Sequence, residues 1–340
     1  MDECQESHSL FPGQPQPSVP LAKHYYDLSD QAVREWQAET AQRFGVEGFC
    51  FYPYWFKGKL LLEKPCEAIL ASGPGSLRHP SAWRRPLHRV LDTYRLRHRD
   101  WPLERWRCCE AWQRCLLNKW NSREFAAMHG VAVPELLWCG RDLARFPVHD
   151  LPARVAVRRA WGGGSKQTHL LVDGRELLDD RACTPQELHT SLRRQYGRWT
   201  AHPLLVEEFL EDAAGQPRAS QFNFYCFCGT IGLVEHVEHA GYTSHRTAYD
   251  ASWEPFPGVV YAARPRSEPI PRPPGMDEML TVARRLGSAY GTFVRVDLYQ
   301  CSKGIYFGEF SSTPFNGTHI QSWADHLLGQ LWQEHCPLSV

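Results

Sequence analysis

The spacing of apolar and polar positions divides the chain into a sparse front part and a densely patterned rear part. Ala32, Val33, Trp36, Ala38, Ala41 and Phe44 recur at roughly helical spacing behind Ser29-Asp30, predicting a helix over Asp30–Arg43 that ends near Gly45. The aromatic run Gly48–Phe56 predicts a strand leading into a turn at Lys57-Gly58, followed by a second helix over Leu60–Leu70. From Glu110 onward helical signals alternate with β-rich stretches at Arg154–Val157, Leu204–Phe209, Phe222–Val237, Phe293–Tyr299 and Ile305–Ser311. That order predicts an α+β fold.

The last two stretches read as a hairpin. A three-residue loop Ser302-Lys303-Gly304, with Gly304 left-handed, sets Cys301 opposite Ile305 and Asp297 opposite Glu309. Side chains alternate at period two, so Arg295, Asp297, Glu309 and Ser311 share one face while Val294, Val296, Leu298 and Phe310 turn to the core. Like charges facing each other across a ladder repel unless a cation lies between them, and magnesium takes one or two carboxylates together with phosphate oxygens. The plainer reading is a sheet face on which Arg295 neutralises both acids.

Composition narrows the classes. Of 340 residues 43% are hydrophobic and 22% charged, which is ordinary globular usage. Lysine plus arginine balances aspartate plus glutamate at 38 each, so no global positive field attracts nucleic acid or an anionic membrane. No apolar run approaches the ~18 residues that span a bilayer, and Met1–Pro20 carries no secretory pattern, so a cytoplasmic location is expected. The 12 cysteines then read mostly as small buried hydrophobes. His236 and His239 fall on opposite faces of a strand and make a poor zinc pair. The Arg- and Trp-rich stretch Trp83–Cys109 reads as a solvated amphipathic face. Residues 1–22 are expected to be a disordered leader, 23–72 a small βα unit, 73–110 a linker and Arg/Trp-rich helical segment, and 111–335 the catalytic domain.

Two resemblances add to this. The run GFCFYPYWFKGKLLLEKP at Gly48–Pro65 resembles the WbsX-like family associated with polysaccharide assembly, over about Tyr26–Leu70 only, as a remnant βα unit. Leu117-Asn118-Lys119, Tyr249-Asp250 with Trp253, Phe293–Tyr299 and Gly308-Glu309 resemble the TupA-like branch of ATP-grasp proteins, named for teichuronopeptide biosynthesis, over about Leu117–Trp332. That resemblance implies an ATP-grasp fold, in which two α+β subdomains grip ATP, with ATP and Mg²⁺ as cofactors.

The residue roles follow from the same resemblance. Lys119 and Arg158 are phosphate contacts, Arg158 standing where the family has lysine. Gly162, Gly163 and Gly164 form a loop whose backbone approaches phosphate. Glu207, Glu208 and Leu210 belong to the hinge that holds adenine, and Asn316 is a further phosphate or substrate contact. Asp297 and Glu309 hold the metal with Ser311, while Arg295 and Arg246, with His245 beside it, serve the transferring phosphate. Gln221 and Asn223 replace a charged Asp and Lys of the family pattern. The implied reaction joins a small-molecule or glycan-linked carboxylate to an amine through an acyl phosphate, alongside enzymes of cell-surface polysaccharide biosynthesis. Phosphoryl transfer to a hydroxyl, a degenerate nucleotide-binding scaffold and a glycan-binding module around Phe49–Phe56 stay open as alternatives.

Overall fold

A computed structural model describes residues 55–56, 59–60, 96–107, 112–161, 168–212, 218–312, 314 and 320–336. The chain divides into two compact units, Met1–His79 and Pro80–Val340. In the first, β1 (Trp55–Phe56) pairs antiparallel with β2 (Lys59–Leu60), Trp55 opposite Leu60, while the turn expected at Lys57-Gly58 lies outside the described residues. Leu60, expected to open a helix, is thus paired in a ladder. The leader, the Asp30–Arg43 helix and the rest of Leu60–Leu70 lie outside the described residues.

The second unit opens with α1 (Leu103–Trp106) and a 3₁₀ turn (Trp112–Leu117) before α2 (Lys119–Met128). Among the described residues of this Arg- and Trp-rich stretch His98, Arg99, Asp100, Glu104, Arg105 and Arg107 are exposed, while Arg97 and Trp106 are buried. The Arg97 guanidinium donates to the Trp106 carbonyl, and its backbone N–H donates to Asn121 Oδ1 at 2.8 Å. A buried arginine is tolerated here because backbone acceptors satisfy it.

The first sheet runs β3 (Leu136–Asp142), β8 (Trp199–Glu208), β4 (Arg154–Arg159), β5 (Thr168–Val172), β6 (Arg175–Glu176) and β7 (Arg181–Ala182) in spatial order, antiparallel throughout. Helix α3 (Pro185–Tyr196) packs on one face. Thr184 and Glu187 close a capping box at its start, with proline at the first position, where a missing N–H costs nothing. Val155, Val157, Leu171, Leu204 and Val206 turn to this helix, so alternation sends Ala156, Arg158, Leu170 and Glu207 to the opposite face.

The second sheet has the order β11 (Thr243–Tyr249), β10 (Thr230–Ala240), β9 (Ser220–Phe227), β12 (Phe293–Cys301), β13 (Gly304–Ser311), again antiparallel. The stretch Phe222–Val237, read as one β-rich segment, is two strands broken at Cys228-Gly229, both at positive φ. Helix α4 (Met276–Tyr290) covers one face, laying Met279, Ala283 and Leu286 on Phe222, Phe224, Val294 and Val296. Burying each such large side chain contributes about 1.5–3 kcal/mol. Gly287 permits the close approach, since a Cβ there would stand 2.8 Å from Cys226 Cβ.

The other face of this sheet is divided. At one end Tyr225, Phe227 and Leu233 pack beneath α5 (Ser322–His335), through Leu331 and Trp332. At the other end Gln221, Arg246, Asp297, Tyr299 and Glu309 look across at the second face of the first sheet. A polar cleft between the sheets results.

Candidate functional site

The site begins with the β12–β13 hairpin. Cys301 pairs with Gly304, so the turn is the two residues Ser302-Lys303, not the three-residue loop expected. The register then shifts: Leu298 faces Phe307 while Asp297 faces Glu309, leaving Gly308 as the extra residue of a β-bulge. The shorter turn and the bulge offset each other, and the two carboxylates meet as expected. Gly308 makes this possible, because a Cβ there would lie 2.7 Å from the Tyr299 ring and 3.1 Å from the Asp297 carbonyl oxygen.

Cations flank both acids. Arg295 donates from Nε and Nη2 to the two oxygens of Asp297, each at 2.7 Å, and its Nη2 stands 3.8 Å from Glu309 Oε1. Lys119 Nζ donates to Glu309 Oε2 at 2.8 Å. Burial raises the Asp297 carboxyl above its ordinary range despite Arg295. Burial also pushes Glu309 up, but Lys119, Arg295 and Arg158 together outweigh it and hold that carboxyl below its ordinary range.

The Glu309 side chain is 35% exposed, against 2% for Asp297, so Glu309 is the acid a ligand meets first. Among the described residues no group of three or more His, Cys, Asp or Glu side chains gathers as a metal cage. Two carboxylates, with Ser311 opposite Arg295 on the neighbouring strand, fit a hard divalent cation that brings further oxygens with it on phosphate. The donor set therefore fits magnesium.

These groups open on one cavity of about 910 Å³, lined also by Arg158, Glu207 and Glu208 from the first sheet, by Leu210 just beyond β8 and by Arg246 from the second sheet. Lys119 is placed by its helix start: Asn118 accepts from Trp120 N at 2.9 Å, and Lys119 N donates to Ala160 O at 2.6 Å, tying α2 to the end of β4. Arg158 Nε donates to Glu207 Oε2 at 2.5 Å, and Arg123 Nε stands 3.4 Å from the other oxygen of the same carboxylate. Burial opposes the charge on Arg158, but Glu207 and the more distant Tyr299 and Glu309 hold it protonated. Glu208 accepts from Glu135 N at 3.0 Å and from Lys303. Both carboxylates are thus engaged by the protein, and what this stretch leaves to the cavity is backbone together with Leu210.

Arg246 donates to Glu235 Oε2 at 2.9 Å, an oxygen that also accepts from Tyr225 OH at 2.7 Å. His245, on the opposite side of β11, is not part of the lining, which corrects its pairing with Arg246 in the site. His239 faces the cavity and bonds Gln221 Oε1 at 2.7 Å, while His236 packs on Phe222, so the two histidines diverge as expected. Gly162, Gly163, Gly164 and Asn316 lie outside the described residues. Sequence reading missed Arg123, Arg218 and the Tyr225–Glu235 pair. For Tyr225 a signal existed, since it shares the period-two face of Gln221 and Asn223.

Two antiparallel sheets enclose a charged cleft with paired acids on an edge hairpin, an α+β architecture whose rear part carries a family match. Residues 175–333 match the family model described as TupA-like ATPgrasp, and residues 2–84 match the one described as Glycosyltransferase WbsX. Lys119 and Arg158 precede the first of these spans. Among solved structures the chain is similar to D-alanine–D-alanine ligase from Bacillus anthracis complexed with ATP, at 14% identity over 65% of each chain with TM-score 0.40. It is also similar to VanG D-Ala:D-Ser ligase from Enterococcus faecalis, at 15% identity over 68% of this chain and 60% of that one, TM-score 0.40. The uncharacterized protein WxcX of Xanthomonas campestris pv. campestris is 49% identical over 55 residues, which span 16% of this chain and 8% of that protein.

Proposed function

We propose that the chain is an ATP-dependent ligase joining a carboxylate to an amine. The observation that carries this reading is the apposition of Asp297 and Glu309 across the bulged hairpin, with Lys119, Arg295 and Arg158 around them. The cavity has the size of a small-molecule site, typically ~300–1,000 Å³. Its described lining carries Lys119, Arg158, Arg218, Arg246, Arg264 and Arg295 against Glu207, Glu208, Asp297 and Glu309. This excess of roughly two positive charges suits magnesium-bound ATP, which carries about two negative ones.

In this reading a substrate carboxylate oxygen attacks the γ-phosphorus and ADP departs. The amine nitrogen then attacks the acyl carbon of the resulting acyl phosphate, loses a proton, and releases phosphate. Lys119, Arg158, Arg246 and Arg295 supply fixed positive charge where oxygens gain negative charge, so the protein acts by positioning and electrostatics rather than as a nucleophile. A magnesium ion, when bound by Asp297 and Glu309 with the Ser311 hydroxyl, supplies Lewis-acid neutralisation of the phosphate oxygens.

The family descriptions support glycan-linked or peptide-like substrates in cell-surface polysaccharide or teichuronopeptide-type assembly, with residues 23–72 as an appendage to a catalytic domain over 111–335. No helix among the described residues is long and apolar enough to cross a membrane, and a cytoplasmic site of action is part of the proposal. The test is ADP release from Mg-ATP by the full chain with a panel of carboxylates and amines, read with product mass. An amide that forms with ADP, and is lost in Asp297→Asn and Glu309→Gln, supports the ligase. A phosphate ester on a hydroxyl acceptor replaces it with a phosphotransferase, and absence of nucleotide binding by the wild type sinks both.

A further inference from the structure

Four cations of the cavity have a carboxylate of their own: Lys119 has Glu309, Arg158 has Glu207, Arg246 has Glu235 and Arg295 has Asp297. Arg218 differs from these four. It precedes β9, lines the same cavity, and its Nη1 is buried with no hydrogen-bond partner among the described residues. No described carboxylate forms an ion pair with it. The Arg218 side chain is half-buried and Glu176 acts on it only through charge at a distance, so the closed-off Nη1 gains a direct partner when an anion arrives.

The surroundings say which anion. Tyr299 stands opposite Gln221 and two residues from Asp297 on the same face. Its hydroxyl lies within electrostatic reach of Arg158, Glu309, Arg218 and Asp297 together. Arg218 and Arg158 thus act on one point beside the paired acids. On the other side His239 lies within reach of both Arg218 and Arg246 and is bonded to Gln221, whose Nε2 stands 3.5 Å from Asp297 Oδ2. The strand itself supplies no charge here, because positions 221 and 223 are the neutral Gln221 and Asn223.

We propose that Arg218 binds the phosphate chain of the nucleotide, supplying from the entrance of β9 a cation that the strand face lacks. The inference rests on the nucleotide reading above. A guanidinium suits the task, since its donors can hold two phosphate oxygens at once.

The experiment measures binding of adenosine, AMP, ADP and Mg-ATP to the full chain by calorimetry, for the wild type, Arg218→Met and Arg218→Lys, with melting temperatures of each unliganded protein. Methionine keeps an unbranched apolar stem and removes the charge. The expected result is that Arg218→Met weakens ADP and ATP by about tenfold or more while adenosine binds as before. Arg218→Lys recovers part of the loss. The unliganded Arg218→Met protein should melt at or above the wild-type temperature, because a half-buried guanidinium with no ion pair has gone.

Equal weakening of adenosine and ATP, or a lower melting temperature without ligand, would assign Arg218 a structural role and overturn the proposal. So would unchanged ATP binding with a raised KM for the carboxylate substrate. A wild type that binds Mg-ATP beside an unaffected Arg218→Met sinks the Arg218 assignment alone. A wild type that binds no nucleotide takes the ligase reading down with it.

Discussion

Asp297 and Glu309 face each other across adjacent strands, yet their carboxyl groups shift in opposite directions, Asp297 upward and Glu309 downward. Burial acts on both. The difference lies in the company: Asp297 is closed in with Arg295 as its ion-pair partner, whereas Glu309 opens to the cavity and meets Lys119 as well as Arg295. The pair is therefore asymmetric in stability. Asp297→Asn leaves the buried Arg295 guanidinium without its two charged bonds and should cost about 3–5 kcal/mol, read by urea denaturation. Glu309→Gln, at an open position, should cost less than about 2 kcal/mol while abolishing turnover. Equal costs would mean that the asymmetry is not real.

How far the site was legible in the sequence follows from the same pair. Period-two alternation placed Arg295, Asp297, Glu309 and Ser311 on one face because alternation is a local property of the backbone. The turn length and the Gly308 bulge were not legible, since each depends on which hydrogen bonds form across the ladder, and the correct pairing was reached only because two shifts cancelled. Tyr225, Glu235 and Arg246 are brought together by the order β11-β10-β9-β12, which no short spacing announces. Arg218 belongs to a connection with no periodicity at all. The burial of Arg97 and Trp106 was not legible, because a polar local composition does not reveal a backbone acceptor waiting in the fold.

Gly308 offers a test of the bulge that spares every charged group. A methyl at this position must displace the half-buried Tyr299 ring or the Asp297 backbone. Gly308→Ala should destabilise the protein by about 1–3 kcal/mol through overpacking. Because Glu309 is the next residue, the variant should also weaken Mg-ATP binding more than adenosine binding, measured by the same titration calorimetry. Unchanged affinity for both would show that the bulge does not set the acid pair.

His239 gives the protein an acid-side stability slope. Burial, with Arg218, Arg246 and His236 nearby, pushes its imidazolium pKa down to about 3. In the unfolded chain the group titrates near ~6.5. The folded value is the lower one, so as pH falls the unfolded chain takes the proton first. Stability from this histidine is complete above ~6.5 and is lost progressively between there and about 3, by at most ~1.4 kcal/mol per pH unit. Between pH 7 and pH 5 the loss should be about 1–2 kcal/mol. His239→Gln, which can still reach Gln221, should remove that part of the difference between urea midpoints at the two pH values. An identical difference in the variant would place the titrating group elsewhere.

Glu207 ties the first sheet to the proposed nucleotide site through charge. Its side chain is 2% exposed and receives Arg158 at 2.5 Å, with Arg123 Nε 3.4 Å away at ion-pair distance but outside hydrogen-bond geometry. One carboxylate therefore compensates two guanidiniums, and burial already lowers the pKa of Arg123 against the pull of Glu207. Glu207→Ala leaves both cations buried near one another, and removing one partner of such a pair typically costs about 3–5 kcal/mol. Adding Arg158→Met removes one of the stranded charges, so the double variant should be less destabilised than the sum of the single changes by roughly 1–3 kcal/mol. Strict additivity would mean that Arg158 and Glu207 are not coupled, and that Arg158 is held in the cavity by something other than this carboxylate. Coupling also predicts a functional signature: Glu207→Gln keeps the shape of the acid but releases Arg158, so KM for ATP should rise while KM for the carboxylate substrate stays near its original value.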